Sequence, residues 1–422
     1  KPQRESDRSG ALLYVTEING RAAEENLQRP AFDTLTAIYP KKQLRLSGKK
    51  SNDPALRLID LFAPIGLGQR ALICAALLAY TLTPLVRVLA IKIKAIDVPT
   101  DGRRMHHKPI PRIGGLAIFL AFLITSIGFC RLDRELVTIL IGGSALVLLG
   151  ILDDVYRLNA FLKLAVQIVA ALFAVSQGVT IDYICFFGKY VAFGNWAIPI
   201  TVFWIVGLTN AVNFIDGLDG LACGVSAIAS LTMLVVSLLV SDANINVAVI
   251  LAALCGGCLG FIPYNLNPAK IFMGDTGALL LGYVLATVSV IGMFKFYAIV
   301  TFVLPVLALA VPLSDTIFAF TRRILHGQSP FHADRGHFHH KLLDMGLNQK
   351  QAVAVLYAVS AILGLAAVLL TSTGIVRIIV AVIAFAIAVC VWLFVFRHNN
   401  NIHPLPHEKP AEESGKDGEA NE

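Results

Sequence analysis

The chain has 422 residues, 56% of them apolar and only 15% charged, and its mean hydropathy is +0.71. These values exclude an ordinary water-soluble domain and point to a protein built into a bilayer. A formal net charge of +7 suits loops that face anionic lipid or an anionic substrate, and gives no sign of nucleic-acid binding.

Crossing about 30 Å of hydrocarbon takes roughly 17–23 apolar residues in a helix. Segment 1–70 has no such run. Within it only 54–67, with Leu56, Leu58, Ile59, Leu61 and Phe62, has the composition of a helix lying along the interface. Beyond it the pattern predicts about eleven spans, near 71–92, 113–130, 136–152, 160–177, 198–212, 221–241, 247–264, 278–294, 298–320, 351–371 and 376–396. The expected fold class is an all-α integral membrane protein, a polytopic helical bundle. Residues 71–396 form its membrane domain, 1–70 is a segment with no assignable chemistry, and 397–422 reads as a disordered tail.

The links alternate in charge. One set, including 131–135, 178–197 and 242–246, is poor in cations. The other holds Lys94, Arg103, Arg104, Lys108, Arg112, Arg157, Lys163, Lys270, Arg322, Arg323, Arg335, Lys341 and Lys350, so the positive-inside rule places it in the cytoplasm. An odd number of spans puts 1–70 on the far side, against the pull of Lys41, Lys42, Arg45, Lys49 and Lys50; long segments follow the rule weakly. The seven cysteines lie mostly in apolar runs and read as small buried residues, not as a disulfide framework.

Five polar loops share the cation-rich side. In the first, Arg103, Arg104, His106, His107, Lys108 and Arg112 precede the second span, which fits either a phosphate contact or simple anchoring. In the next, Asp153 and Asp154 end a span and Lys163 opens the following one. Adjacent carboxylates can diverge in environment, one acting as base and one tethered to a cation; a solvated turn is the plainer alternative. Further on, Asn213, Asp216 and Asp219 recur at three-residue spacing, which predicts one helical face. Their oxygens suit a hard cation or the hydrogen bonds of a nucleoside.

The run from Asn265 to Asp275 leads into a helix start, with Asp275 or Thr276 near the N-cap. Asp275 adds a carboxylate and Lys270 a phosphate-seeking charge, Gly274 and Gly277 allow close backbone approach, and Phe272 offers a stacking face. Mg²⁺ needs only one or two protein carboxylates besides phosphate oxygens and water, so these loops suffice for it. Last come His332, Arg335, His337, His339 and His340. With no cysteine nearby and an arginine in the middle, an anion site fits better than zinc, with an inert loop as the alternative. Asp315, inside the ninth predicted span, is expected to be structural.

These five runs, in this order, resemble the polyprenyl-phosphate N-acetylhexosamine-1-phosphate transferases over about residues 71–370. The runs from Pro109 to Gly115 and from His332 to His340 look like the WecA/TagO branch. The resemblance implies a transferase of the bacterial inner (plasma) membrane whose active site faces the cytoplasm. It implies that UDP-N-acetylglucosamine and undecaprenyl phosphate give lipid-linked GlcNAc pyrophosphate and UMP, the first membrane step of cell-envelope glycopolymer synthesis. Mg²⁺ is the implied metal, with Mn²⁺ as a substitute, held by Asp275 and Asn213. Lys163 and Arg335 would grip phosphates, with Arg112 and Lys270 as further substrate cations. Asp219 and Phe272 would bind the uracil. Asp153 or Asp154 would position or deprotonate the lipid phosphate, with Asp216 among the catalytic carboxylates. His337, His339 and His340 would touch phosphate or sugar. A homodimer is compatible with this picture. The alternatives are another UDP-N-acetylhexosamine as donor, or a transporter of sugar-phosphate or polyprenyl lipid. Transporters place their ionisable groups at the midplane, in broken helices.

Overall fold

The computed structural model describes residues 17–18, 21–22, 67–98, 109–186, 189–239, 245–292, 303–325, 338–372 and 374–401. The chain falls into two units, Lys1–Ile65 and Gly66–Glu422. In the first, the described part is an antiparallel pair, β1 (Glu17–Ile18) with β2 (Arg21–Ala22). The interfacial helix expected over 54–67 lies outside the described residues except for Leu67, where the first helix of the second unit begins.

That second unit is helical. Its first eight helices are α1 (Leu67–Lys92), α2 (Gly115–Phe129), α3 (Arg134–Tyr156), α4 (Ala160–Ser176), α5 (Ala197–Phe214), α6 (Leu221–Leu239), α7 (Ile245–Asn265) and α8 (Gly274–Gly292). After them come α9 (Val303–Ala308), α10 (Ala310–Leu325), α11 (Phe338–Asp344), α12 (Gln349–Thr371) and α13 (Gly374–Asn401). Among the described residues seven helical segments are long and apolar enough to cross a membrane, and Gly115–Phe129, Ala160–Ser176 and Arg377–Val391 are shorter apolar helices. The protein is a polytopic helical membrane protein.

The span expected over 298–320 differs from what is found. Its described part is two helices, α9 and α10, parted at Leu309. Pro312 has no N–H to give to the carbonyl of Ala308, so the helical ladder loses a rung there. Helix α13 also runs on to Asn401, past the boundary expected at 397.

Helix α8 is the central element: Gly274 and residues 276–292 are all buried, and it packs against α2, α3, α5 and α6. Small residues make this possible, since apolar helices in lipid associate through close backbone packing and not through exclusion of water. A methyl group on Gly115 of α2 would collide with the backbone of Gly277 in α8. The start of α8 is thereby locked against neighbouring helices, and it carries Asp275.

Short strands complete the scaffold. β3 (Ile96–Asp97) pairs antiparallel with β4 (Ile110–Pro111), Ile96 opposite Pro111 and Asp97 opposite Ile110. The same stretch is stitched to the chain ahead of α8: Phe272 N–H donates to the Pro111 carbonyl at 2.8 Å, and Gly114 N–H to the Phe272 carbonyl at 2.9 Å. A second hairpin, β5 (Tyr183–Phe186) with β6 (Lys189–Ala192), lies between α4 and α5.

Candidate active site

Helix ends build the charged part of the site. The backbone at Arg157, φ 54°, adopts the left-handed conformation that ends α3, and Asn159 caps α4 by accepting from Phe161 N–H. Asp153 holds this reversal through one carboxylate oxygen, which accepts Leu158 N–H at 2.7 Å. Its other oxygen accepts from Lys163 Nζ at 3.0 Å. The same ammonium donates to Asp275 Oδ2 at 2.9 Å. Lys163 thus joins a carboxylate of its own hairpin to one 112 positions away in sequence, and Asn213 also hydrogen-bonds the Asp275 side chain.

Asp154 faces elsewhere. Its Oδ1 accepts Asp275 N–H at 3.3 Å, and its Oδ2 accepts Thr276 N–H at 3.2 Å and Thr276 Oγ1 at 2.8 Å. The side chain is 0% exposed, with Arg112 Nε 3.7 Å away. The N-terminus of α8 is thus capped by a carboxylate from another helix, and not by Asp275 or Thr276 as the local sequence suggested. The geometry thus separates Asp154, a buried helix cap, from Asp153, whose Oδ2 meets Lys163. Gly274, φ 70°, has no room for a side chain, because a methyl there would strike Asp154 and the Arg112 carbonyl.

A cavity of about 830 Å³ opens beside Asp275. Arg112, Asn213, Asp216, Asp219, Lys270, Phe272, Asp275 and His340 all line it. Asp216 and Asp219 do not share a helical face with Asn213. Helix α5 stops at Phe214, and both carboxylates sit on the turn that follows, where Asp216 N–H donates to the Asn213 carbonyl at 3.1 Å. Gly217 and Gly220 break the helix there, so the three-residue spacing becomes a turn around the cavity. Burial, with the nearby carboxylates of Asp275 and Asp154, pushes Asp216 well above the usual carboxylate range, partly opposed by Arg112. Arg112 is itself 3.8 Å from Asp97 and 32% exposed. Lys270 Nζ stands 5.9 Å from the centre of the Tyr264 ring.

Arg335 and His337 lie outside the described residues, as does the side chain of His339. Asp315 is buried in α10 and accepts Phe338 N–H at 2.7 Å, at the start of α11. Four polar lining residues were not singled out from the sequence: Arg87 of α1, Asp97, Asn267 and Gln349. Only Arg87 gave a signal, a charge inside a predicted span. Among the described residues no three acidic, histidine or cysteine side chains form a closed metal cage. What converges is the sparse donor set that Mg²⁺ uses, carboxylate and amide oxygens with room for phosphate. The ammonium of Lys163, set between two carboxylates, shows that this corner favours a cation.

Known proteins place this arrangement among the membrane transferases. Glycosyl transferase family 4 matches residues 136–293, which is α3 through α8. A probable undecaprenyl-phosphate N-acetylglucosaminyl 1-phosphate transferase of Bacillus subtilis is 40% identical over 309 residues, 72% of this chain and 85% of the relative. A decaprenyl-phosphate N-acetylglucosaminephosphotransferase of Mycolicibacterium smegmatis is 37% identical over 335 residues, covering 72% and 82%. An undecaprenyl-phosphate alpha-N-acetylglucosaminyl 1-phosphate transferase of Thermotoga maritima is 34% identical over 266 residues, covering 63% and 78%. The chain belongs to glycosyl transferase family 4 and is a phosphotransferase of the membrane.

Proposed function

We propose that the protein transfers GlcNAc-1-phosphate from UDP-GlcNAc to undecaprenyl phosphate, releasing UMP at the cytoplasmic face of a bacterial inner membrane. One observation carries this reading: Lys163 bridges Asp153 and Asp275 at the edge of a nucleotide-sized cavity with several charged side chains in its wall. Asp275 lines that cavity, whereas Lys163 and Asp153 do not. The donor nucleotide therefore fits on one side of Asp275, and the lipid phosphate fits on the other, beside Lys163.

In this reading an oxygen of the lipid phosphate attacks the sugar-bearing phosphorus of UDP-GlcNAc. A new P–O bond forms, the bond to the uridine phosphate breaks, and UMP leaves with the electron pair. A lipid phosphate is already anionic at neutral pH, so Asp153 orients Lys163 and the acceptor and has no proton that it must remove. Lys163 offsets the repulsion between attacking and attacked anions. Asp154 takes no part in bond making; it fixes the start of α8, and with it the Asp275 carboxylate. Asp275 and Asn213 are the residues that would hold Mg²⁺, which when bound neutralises pyrophosphate oxygens. Phe272 supplies a stacking face and Asp219 an acceptor for the base. Gathering both substrates at one face of the bilayer removes much of the entropic cost of their meeting.

The test is direct. Purified protein with UDP-GlcNAc, undecaprenyl phosphate and Mg²⁺ should release UMP in step with lipid-linked GlcNAc, and neither without metal nor without acceptor. Release with a different UDP-N-acetylhexosamine but not with UDP-GlcNAc would replace the donor; no release with any would remove the reading.

A further inference from the structure

Asp219, Asn267 and Gln349 come from three separate segments and meet at one wall of the cavity. Asn267 Nδ2 donates to Asp219 Oδ2 at 2.9 Å and to Gln349 Oε1 at 2.6 Å, and Ala269 N–H also donates to Asp219 Oδ2, at 3.1 Å. The chemistry fixes the direction of this relay. A carboxylate only accepts, so the Asn267 amide must turn its NH₂ toward Asp219. That same NH₂ then requires Gln349 to present its carbonyl. Among the described residues, Gln349 Nε2 is left as a donor and Asp219 Oδ1 as an acceptor for whatever the cavity holds. Two amides, each free to flip in isolation, acquire one orientation from one charge.

The relay is also rigid. Gln349 is the first residue of α12, whose start is closed by a reciprocal cap between Asn348 and Gln351. Tyr357, eight residues further along and on the same face, donates to the Gly220 carbonyl at 2.6 Å, tying α12 to the turn that carries Asp219. Helix α12 lies beyond residue 293, where the family match ends.

We propose that Gln349 is a specificity-determining residue that reads the nucleobase of the donor. Asp219 accepts a ring N–H, and Gln349 Nε2 donates to the carbonyl oxygen beside it. Uracil offers that pairing. Cytosine reverses it, setting an unprotonated ring nitrogen against the carboxylate and an amine against the amide NH₂. The inference rests on the donor being a uridine nucleotide, as proposed above.

The experiment uses the full chain and the isosteric Gln349→Glu. The new carboxylate still accepts from Asn267, and an acidic residue at the first position of a helix is favourable, so the fold is kept. Only the outward group changes, from donor to acceptor. The KM for UDP-GlcNAc should rise about 10–100-fold with kcat within about threefold, and the preference for UDP- over CDP-GlcNAc should fall at least about tenfold. Gln349→Met, which lacks the donor, should raise that KM about 5–20-fold. The KM for undecaprenyl phosphate should stay within about twofold in both, because nothing on the acceptor's side is altered.

Unchanged donor KM and base preference in Gln349→Glu would overturn the proposal, as would a loss of kcat at constant KM. Equilibrium binding of UMP and CMP separates this failure from that of the donor assignment. A preference for UMP that depends on Gln349 supports the relay even if UDP-GlcNAc is not turned over. Wild-type turnover with a base preference indifferent to Gln349 sinks the relay and leaves the donor assignment standing. Binding of neither nucleotide removes both.

Discussion

Two corners of the site, one at the edge of the cavity and one in its wall, solve opposite problems. At the first, Lys163 joins Asp153 and Asp275 at 3.0 and 2.9 Å. At the second, Asp219 organises two neutral amides, Asn267 and Gln349. The first is a dense knot of charge, indifferent to which group a phosphate carries and suited to holding anions against their own repulsion. The second has a single charge and a fixed donor–acceptor order, suited to telling one planar edge from another. A site that must both drive phosphoryl transfer and choose its donor gains from keeping these apart, because charge gives strength and amides give direction.

The largest expected effect breaks the first corner alone. Lys163→Met leaves two carboxylates facing each other with no cation between them, and kcat should fall by about 10²–10³. The donor base preference should not move, since Gln349 and Asp219 are untouched. Steady-state kinetics with UDP- and CDP-GlcNAc read both quantities, and a wild-type kcat would remove Lys163 from the chemistry.

Thr276→Val is gentler and tests how the first corner is held. It deletes the hydroxyl that donates to Asp154 at 2.8 Å while keeping the side chain's shape. A hydrogen bond to a charged acceptor contributes about 1.5–3 kcal/mol. If the cap positions Asp275, kcat should drop about tenfold and the unfolding temperature should fall with it. An unchanged rate in a less stable protein would show that the cap serves the fold and not the chemistry.

The charged corner was largely legible in the sequence and the amide corner was not, for a physical reason. Asp153, Lys163, Asn213 and Asp275 interrupt apolar runs, and a charge beside a membrane span stands out against its surroundings. Gln349 and Asn267 are neutral, lie in polar stretches of the sequence and look like any surface amide. Their part emerges only when the start of α12 meets the α7–α8 loop, a contact between residues 82 positions apart in sequence. The helical class of the fold was legible from apolar length, whereas the break between α9 and α10 depended on what Pro312 denies its neighbour. The cap on α8 was misjudged for a similar reason, since local cap rules see Asp275 and Thr276 but not an Asp154 arriving from another helix.

A pH series sharpens the comparison further. Asp216 is held well above the ordinary carboxylate range by burial and by Asp275 and Asp154. The folded state therefore binds its proton more tightly than the unfolded chain does. Without metal, the contribution of Asp216 to stability should be full below the ordinary carboxylate range, and should decline as pH rises from there through the raised value. Mg²⁺ favours the ionised form, so adding it should release protons and flatten the decline. Unfolding temperatures with and without Mg²⁺, in wild type and Asp216→Asn, check this; a pH slope that survives Asp216→Asn would assign it to another group.

The smallest effect is expected from Tyr357→Phe, and it bears most closely on whether the two corners are separate. The ring fills the space that a side chain on Gly224 would need, and phenylalanine keeps that packing. Only the hydroxyl that donates to the Gly220 carbonyl at 2.6 Å is lost. One neutral hydrogen bond contributes about 1 kcal/mol, so the turn carrying Asp219 should loosen without unfolding. In the proposed reading Asp219 of that turn meets the base and not the reacting phosphates, so the KM for UDP-GlcNAc should rise about two- to fivefold while kcat stays constant. If kcat falls instead, α12 transmits to Asp275 as well as to Asp219, and the division between a corner of charge and a corner of direction does not hold.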